Sequence, residues 1–145
     1  MADLKTALSK TFALESKIET LFGVSTFDRY DDLSDLDIDR TDSDQLFLLD
    51  QLQAIIMNLW EAKNKIAYLK HPVKETSHLH KNRQGRYEMA SGHDFTSGDV
   101  IEVLVDNGHH LSPYWARTSV EHNGKDYYLV HYRDICMDGL LVRRR

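Results

Sequence analysis

At Pro72 the hydrophobic periodicity of this 145-residue chain changes, and that change limits the folds open to it more than any other feature. Before Pro72, apolar residues recur every three and four positions, the spacing that lines one face of a helix; after it they alternate, as on a half-buried strand. Leu4, Ala7, Thr11, Leu14, Ile18 and Leu21 predict a first helix over residues 3–22. Leu48, Leu52, Ile55, Leu59, Ala62, Ile66 and Leu69 predict a longer one, widened by Leu49, Ile56 and Trp60. Thr41 is the candidate N-cap of that helix, with Asp42 and Asp44 in its first turn, where carboxylates interact favourably with the helix dipole. Pro72 stops it, because the residue before a proline is pushed out of the helical region.

The simplest arrangement of residues 1–72 is an antiparallel helical hairpin with an acidic connection over 23–40. Residues 73–85 are polar and read as a linker. Residues 86–145 carry strand patterns at 86–89, 100–105, 114–120, 127–131 and 140–143, separated by turn signals such as Ser97-Gly98-Asp99, Asn123-Gly124 and Asp138-Gly139. Five short strands in about 60 residues suggest a small SH3-like β-barrel. The expected class is therefore α+β, a helical hairpin followed by a five-stranded barrel.

The charge has a location. The chain's net charge is -5, and residues 1–72 carry 13 acids against 8 bases while residues 73–145 carry 10 of each. Within the first half, nine aspartates fall between Asp28 and Asp50 against two arginines. If Asp35, Asp37 and Asp39 lie in extended chain, their carboxylates share one face about 6.6 Å apart, roughly two base-pair rises of duplex DNA. Phe27, Tyr30, Leu33, Leu36 and Ile38 are interleaved with the acids and supply apolar anchors. The candidate partner-binding set is Asp28, Tyr30, Asp31, Asp32, Leu33, Asp35, Asp37, Asp39, Asp42 and Asp44, and the partner it suits is a basic nucleic-acid-binding protein. A calcium loop fails on Arg40 and Leu46, where it needs glycine and glutamate.

The second half offers two further chemistries. Arg86, Trp115, Arg117, Tyr128, Arg133, Arg143 and Arg144 have the makings of a second contact surface that stacks on bases and meets phosphates directly. His78, His80, His109 and His110 could join His93, His122 or Asp94 around a metal and form a nuclease, although no zinc-ligand spacing is present. Neither a phosphate loop nor a nucleophile elbow occurs, and Cys136 has no base beside it in sequence, so no catalytic residue and no cofactor is expected. No apolar run approaches the 18 to 20 residues that cross a bilayer, and Met1-Ala2-Asp3-Leu4 is no secretory start, so no membrane contact and a cytoplasmic location are expected. The apolar surface left on the helices suggests a homodimer.

Arg86-Tyr87-Glu88, Ser97-Gly98-Asp99-Val100-Ile101-Glu102-Val103, Trp115-Ala116-Arg117-Thr118, Asp126-Tyr127-Tyr128-Leu129-Val130 and Gly139-Leu140-Leu141-Val142-Arg143 carry a resemblance over roughly the last 60 residues. That part resembles a family of short uncharacterised proteins of Gram-positive plasmids, phages and integrative elements. The resemblance implies no catalytic residues. Small mobile-element proteins with an acidic appendage include inhibitors of host defence such as anti-CRISPR proteins, which makes a Cas9-type effector or its guide-RNA complex the expected partner. A plasmid- or phage-maintenance module that binds nucleic acid or peptide through its barrel is the alternative.

Overall fold

The structure, a computed structural model, describes Met1, residues 3–24, Leu33 and residues 35–145. The fold is α+β and divides into two compact units, Met1–His71 and Pro72–Arg145.

The expected first helix is two, α1 (Leu4–Phe12) and α2 (Leu14–Phe22). Ala13 between them keeps helical angles, φ -65° and ψ -16°. The Thr11 hydroxyl donates to the Ala7 carbonyl at 2.9 Å just before the break, as the Thr20 hydroxyl does to the Ser16 carbonyl inside the unbroken α2. The long helix α3 (Ser43–Lys70) begins one residue later than expected. Its N-cap is Asp42, not Thr41; Asp42 Oδ1 accepts the backbone N–H of Asp44 at 2.9 Å and of Gln45 at 3.3 Å. At the other end His71 is extended, with ψ 131°, as its proline neighbour requires. Glu19 pairs with Lys63 at 3.3 Å and Glu15 with Lys70, so α2 runs antiparallel to α3.

The second unit holds β1 (Glu75–His78), β2 (His80–Lys81), β3 (Tyr87–Glu88), β4 (Asp94–Phe95), β5 (Val100–Val105), β6 (Tyr114–His122), β7 (Tyr127–Leu129) and β8 (Leu141–Arg144). Residues 73–85 are therefore not a linker: β1 and β2 lie there, and β1 pairs with β8 from Glu75 opposite Arg144 to His78 opposite Leu141. Nor is the barrel formed. The strands make an antiparallel five-stranded sheet, β1-β8-β5-β6-β7, and a three-stranded one, β2-β3-β4, and neither closes on itself. The two sheets share one core: Leu79, Met89 and Phe95 from the smaller side meet Ile101, Val103, Val105, Val120, Leu129 and Val142 from the larger.

The alternation predicted for β5 decides which side chains reach that core. Ile101, Val103 and Val105 point into it, which sends Glu102 to the opposite face. Asn123-Gly124 does open a turn, but over four residues, 123–126, with Gly124 at φ 93° and the Asn123 side chain accepting from the N–H groups of Lys125 and Asp126.

Candidate functional site

The acidic segment leads directly into α3. Asp28, Tyr30, Asp31 and Asp32 lie outside the described residues. Leu33, expected as an exposed anchor, is 3% exposed and points into the protein, so it is not available to a partner. From residue 35 the exposure alternates, Asp35, Asp37 and Asp39 being exposed and Leu36 and Ile38 half-buried, but the chain turns at Asp35-Leu36, where the Leu36 N–H donates to the Leu33 carbonyl at 3.1 Å, so the start of this stretch is not the extended chain expected. Those two line a hollow of about 190 Å³ with Gln45, Leu48, Leu49 and Leu52 of α3. The apolar residues thus tie the strip to the helix.

Some of these acids also hold the chain in place. Asp39 accepts from the Thr41 N–H at 2.9 Å and the Thr41 hydroxyl at 2.7 Å, and the Asp39 N–H donates to the Gln45 side chain at 2.8 Å. Hydrogen bonds from Thr41 lower the Asp39 pKa, and those from Asp44 and Gln45 lower that of Asp42. Asp44 sits exposed in the first turn of α3. Asp39 and Asp42 are therefore structural caps as well as charges.

On the face of the larger sheet away from the core, Glu102 is 5% exposed. Arg143 donates to its Oε1 from Nε at 2.7 Å and Nη2 at 2.6 Å, and Arg145 donates from Nε to Oε2 at 2.6 Å. A carboxylate enclosed this far requires such donors, because a bare buried charge is costly. The Arg143 guanidinium also lies 4.3 Å from the centre of the Trp115 ring, a cation–π contact. Strand register places Arg143 and Arg117 on either side of Glu102, and Trp115 opposite Leu104.

The seven residues expected to form one basic and aromatic surface are thus divided. Trp115, Arg117 and Arg143 gather around Glu102. Arg133 stacks on Tyr128 at 4.5 Å and donates to its hydroxyl at 3.3 Å. Arg86 is paired with Asp94 at 3.3 Å, and Arg144 reaches Glu75 at 3.5 Å on the core-side register of β8. Glu102 escaped the sequence reading, though an acid inside Val-Ile-Glu-Val-Leu-Val was a visible sign that this strand position needs a cation. Residues 77–144, just under half of the chain, match DUF5348, a domain of unknown function. No curated protein and no solved structure matches the chain.

The matched stretch contains Glu102, Trp115, Arg117, Arg143 and Arg144; the acidic strip and Arg145 fall outside it. Its histidines are dispersed. His78 Nδ1 is 3.0 Å from the Gly139 carbonyl, His80 bonds Glu88 at 2.7 Å, and His93 and His122 lie edge-on to Phe95 and Tyr127. Among the described residues no three His, Cys, Asp or Glu side chains come together to hold a metal, so the alternative of a histidine-metal site is not assembled among them.

The domain also has a cleft of about 370 Å³ that no motif announced, lined by Asn107, His109, Tyr114, His131, Tyr132, Asp134 and Ile135. Burial and a hydrogen bond with Tyr114 raise the Tyr132 pKa. Two residues beyond β7, His131 has φ 66°, a left-handed conformation uncommon outside glycine that turns the chain away after Val130.

Proposed function

We propose that this protein acts by binding rather than by catalysis, and that its acidic strip occupies the nucleic-acid groove of a basic bacterial defence protein of the Cas9 type and so inhibits it. The observation that carries the reading is the alternation over residues 35–39, with Asp35, Asp37 and Asp39 exposed and Leu36 and Ile38 turned toward α3. A carboxylate row tied to a helix is ordered before it meets a partner, so less conformational entropy is lost on binding than with a solvated tail. Opposite charge across such an interface accelerates encounter and makes it salt-sensitive.

The test is gel filtration of the full chain with Cas9 loaded with guide RNA, together with DNA cleavage in the same mixture. Co-elution and inhibition at low salt, both lost at high salt, are expected. Replacing Asp31, Asp32, Asp35 and Asp37 by asparagine should weaken inhibition roughly tenfold or more, since each lost charge pair removes a few tenths to 1 kcal/mol. Asp39 and Asp42 stay in place so that the helix start is preserved. No complex at low salt, or undiminished inhibition by the quadruple variant, overturns the reading.

A second reading, direct contact of the DUF5348 domain with nucleic acid, draws on half-buried Trp115 beside Arg117. The ion pairs of Arg86, Arg143 and Arg144 with Asp94, Glu102 and Glu75 count against it, because phosphates would have to compete with those carboxylates. Mobility shift with single- and double-stranded DNA and RNA separates the two readings: the inhibitor should shift none of them.

A further inference from the structure

We propose that the cleft of the β unit beside His131 binds an organic cation, the guanidinium or ammonium head of a small molecule or of a peptide side chain. The unit already holds two of its own cations in one arrangement, between an aromatic ring and a carboxylate. Lys81 Nζ lies 5.5 Å from the centre of the Tyr87 ring and 2.9 Å from Asp126 Oδ2. The Arg143 guanidinium lies 4.3 Å from the centre of the Trp115 ring, and its Nη2 is 2.6 Å from Glu102 Oε1. The ring attracts positive charge through its quadrupole and the carboxylate through its full charge, so the two act in the same direction.

The cleft offers the same two kinds of group without a cation of the chain. Tyr114, Tyr132 and Asp134 line it, and Asp134 is the only Asp, Glu, Lys or Arg of the lining. Among the described residues no Lys or Arg lies over either ring or pairs with Asp134; His110 meets the Tyr114 ring edge-on, 4.4 Å between centres. A phosphate or carboxylate would meet a like charge here and no lysine or arginine to receive it, which selects a cation. The rings are held before anything binds. Asn107 Nδ2 donates to the Tyr114 hydroxyl at 3.1 Å, Asn107 Oδ1 accepts the His109 N–H at 3.2 Å, and the hydroxyls of Tyr114 and Tyr132 are hydrogen-bonded to each other. The Tyr132 N–H donates to the Leu129 carbonyl and the Ile135 N–H to the Tyr132 carbonyl, each at 3.1 Å. Little order therefore has to be created on binding. Next to Tyr132, His131 keeps φ 66°, backbone strain of the kind found at ligand clamps. At about 370 Å³ the cleft is near the small end of ligand sites and admits one such head group. The acidic strip takes no part in it, so this site stands or falls independently of the inhibitor reading.

The experiment is titration of the isotope-labelled full chain, followed by amide NMR, with N-acetyl-arginine amide and with methylguanidine. N-acetyl-citrulline amide, in which an uncharged urea replaces the guanidinium, is the control. Both cations should move the amides of His109, Tyr114 and residues 131–135 with a dissociation constant of roughly 1 mM, the strength expected of one small group. Tighter binding of the arginine amide identifies a peptide side chain as the ligand, and equal binding identifies a free cation; either result supports the site. Asp134→Asn should weaken both roughly three- to fivefold, the worth of an exposed charge pair, and because Asp134 is exposed the variant leaves the core undisturbed. Tyr132→Leu should weaken them by a similar factor, while Tyr132→Phe, which keeps the ring, should bind as the parent does. No shift at these residues up to about 10 mM of either cation, ten times the expected constant, equal shifts with the citrulline amide, or an unchanged constant for Asp134→Asn overturns the proposal.

Discussion

The two units handle their apolar residues in opposite ways. In the β unit Met89, Ile101, Val103, Val120, Leu129 and Val142 are wholly enclosed. In the helical unit the deepest residues, Leu33 and Ile56, retain 3%, while Phe47, Leu48 and Ile55 are more than half exposed. Two sheets meeting around one core can shield a side chain from every direction. A helix packed on one neighbour shields one seam, and an α3 that is apolar on more than one side keeps the remainder in water. The difference teaches that the β unit is stabilised by its own interior, whereas the helical unit leaves apolar side chains of α3 in water.

The sharpest way to break that contrast is a core truncation. Phe95→Ala should destabilise the β unit by about 3–5 kcal/mol, read as a lower urea midpoint of Trp115 fluorescence in a Trp60→Phe background. The helical signal at 222 nm should respond far less, and an equal shift of both would mean that the units do not differ as described. Next in size, Glu102→Ala should cost about 2–3 kcal/mol, because it leaves Arg143 and Arg145 without their common acceptor. Partial exposure of the two arginines keeps the figure below that of a fully buried pair, and a change under about 0.5 kcal/mol would show the cluster to be surface decoration. Asp42→Ala should cost the helical unit about 1 kcal/mol, the value of an N-cap, visible as reduced helicity and a lower thermal midpoint while Asp42→Asn keeps most of it.

Acid should have the gentlest effect, since the groups concerned are open to solvent. Hydrogen bonds from Ser91, Asn82 and Lys81 respectively are the main causes that hold the Glu75, Glu88 and Asp126 carboxyls below their ordinary pKa in the β unit. Asp39 and Asp42 are lowered in the helical unit. A carboxyl depressed in the folded state stabilises above its unfolded pKa and loses that contribution as pH falls through the folded value. Both units should therefore be flat in stability from neutral pH to about pH 5 and weaken below about pH 4. A midpoint that rises on acidification would contradict these hydrogen bonds.

Much of the fold was legible from local pattern. The change of period at Pro72, the stop at His71 and the alternation of β5 are set by neighbours in sequence, and each stands where the pattern puts it. The errors share a different origin. Glu75-Thr76-Ser77-His78 has no apolar alternation and is a strand because β8, some 65 residues later, offers it a hydrogen-bonding edge. The N-cap is Asp42 rather than Thr41 because the Asp42 carboxylate is the group that accepts the N–H groups of Asp44 and Gln45, while the Thr41 hydroxyl donates to Asp39. Of the candidate site, the outward set of Asp35, Asp37 and Asp39 was readable from spacing, whereas the inward turn of Leu33 was not.

By itself the sequence determined where helix gives way to strand and where the charge lies, since periodicity and composition act over a few residues. Only the tertiary structure decided that the sheets stay open and that Arg143 and Arg145 enclose Glu102 some forty positions away. Those outcomes depend on which strands become neighbours. Pairing of that kind is settled by the free energy of the whole core, and no local pattern carries it.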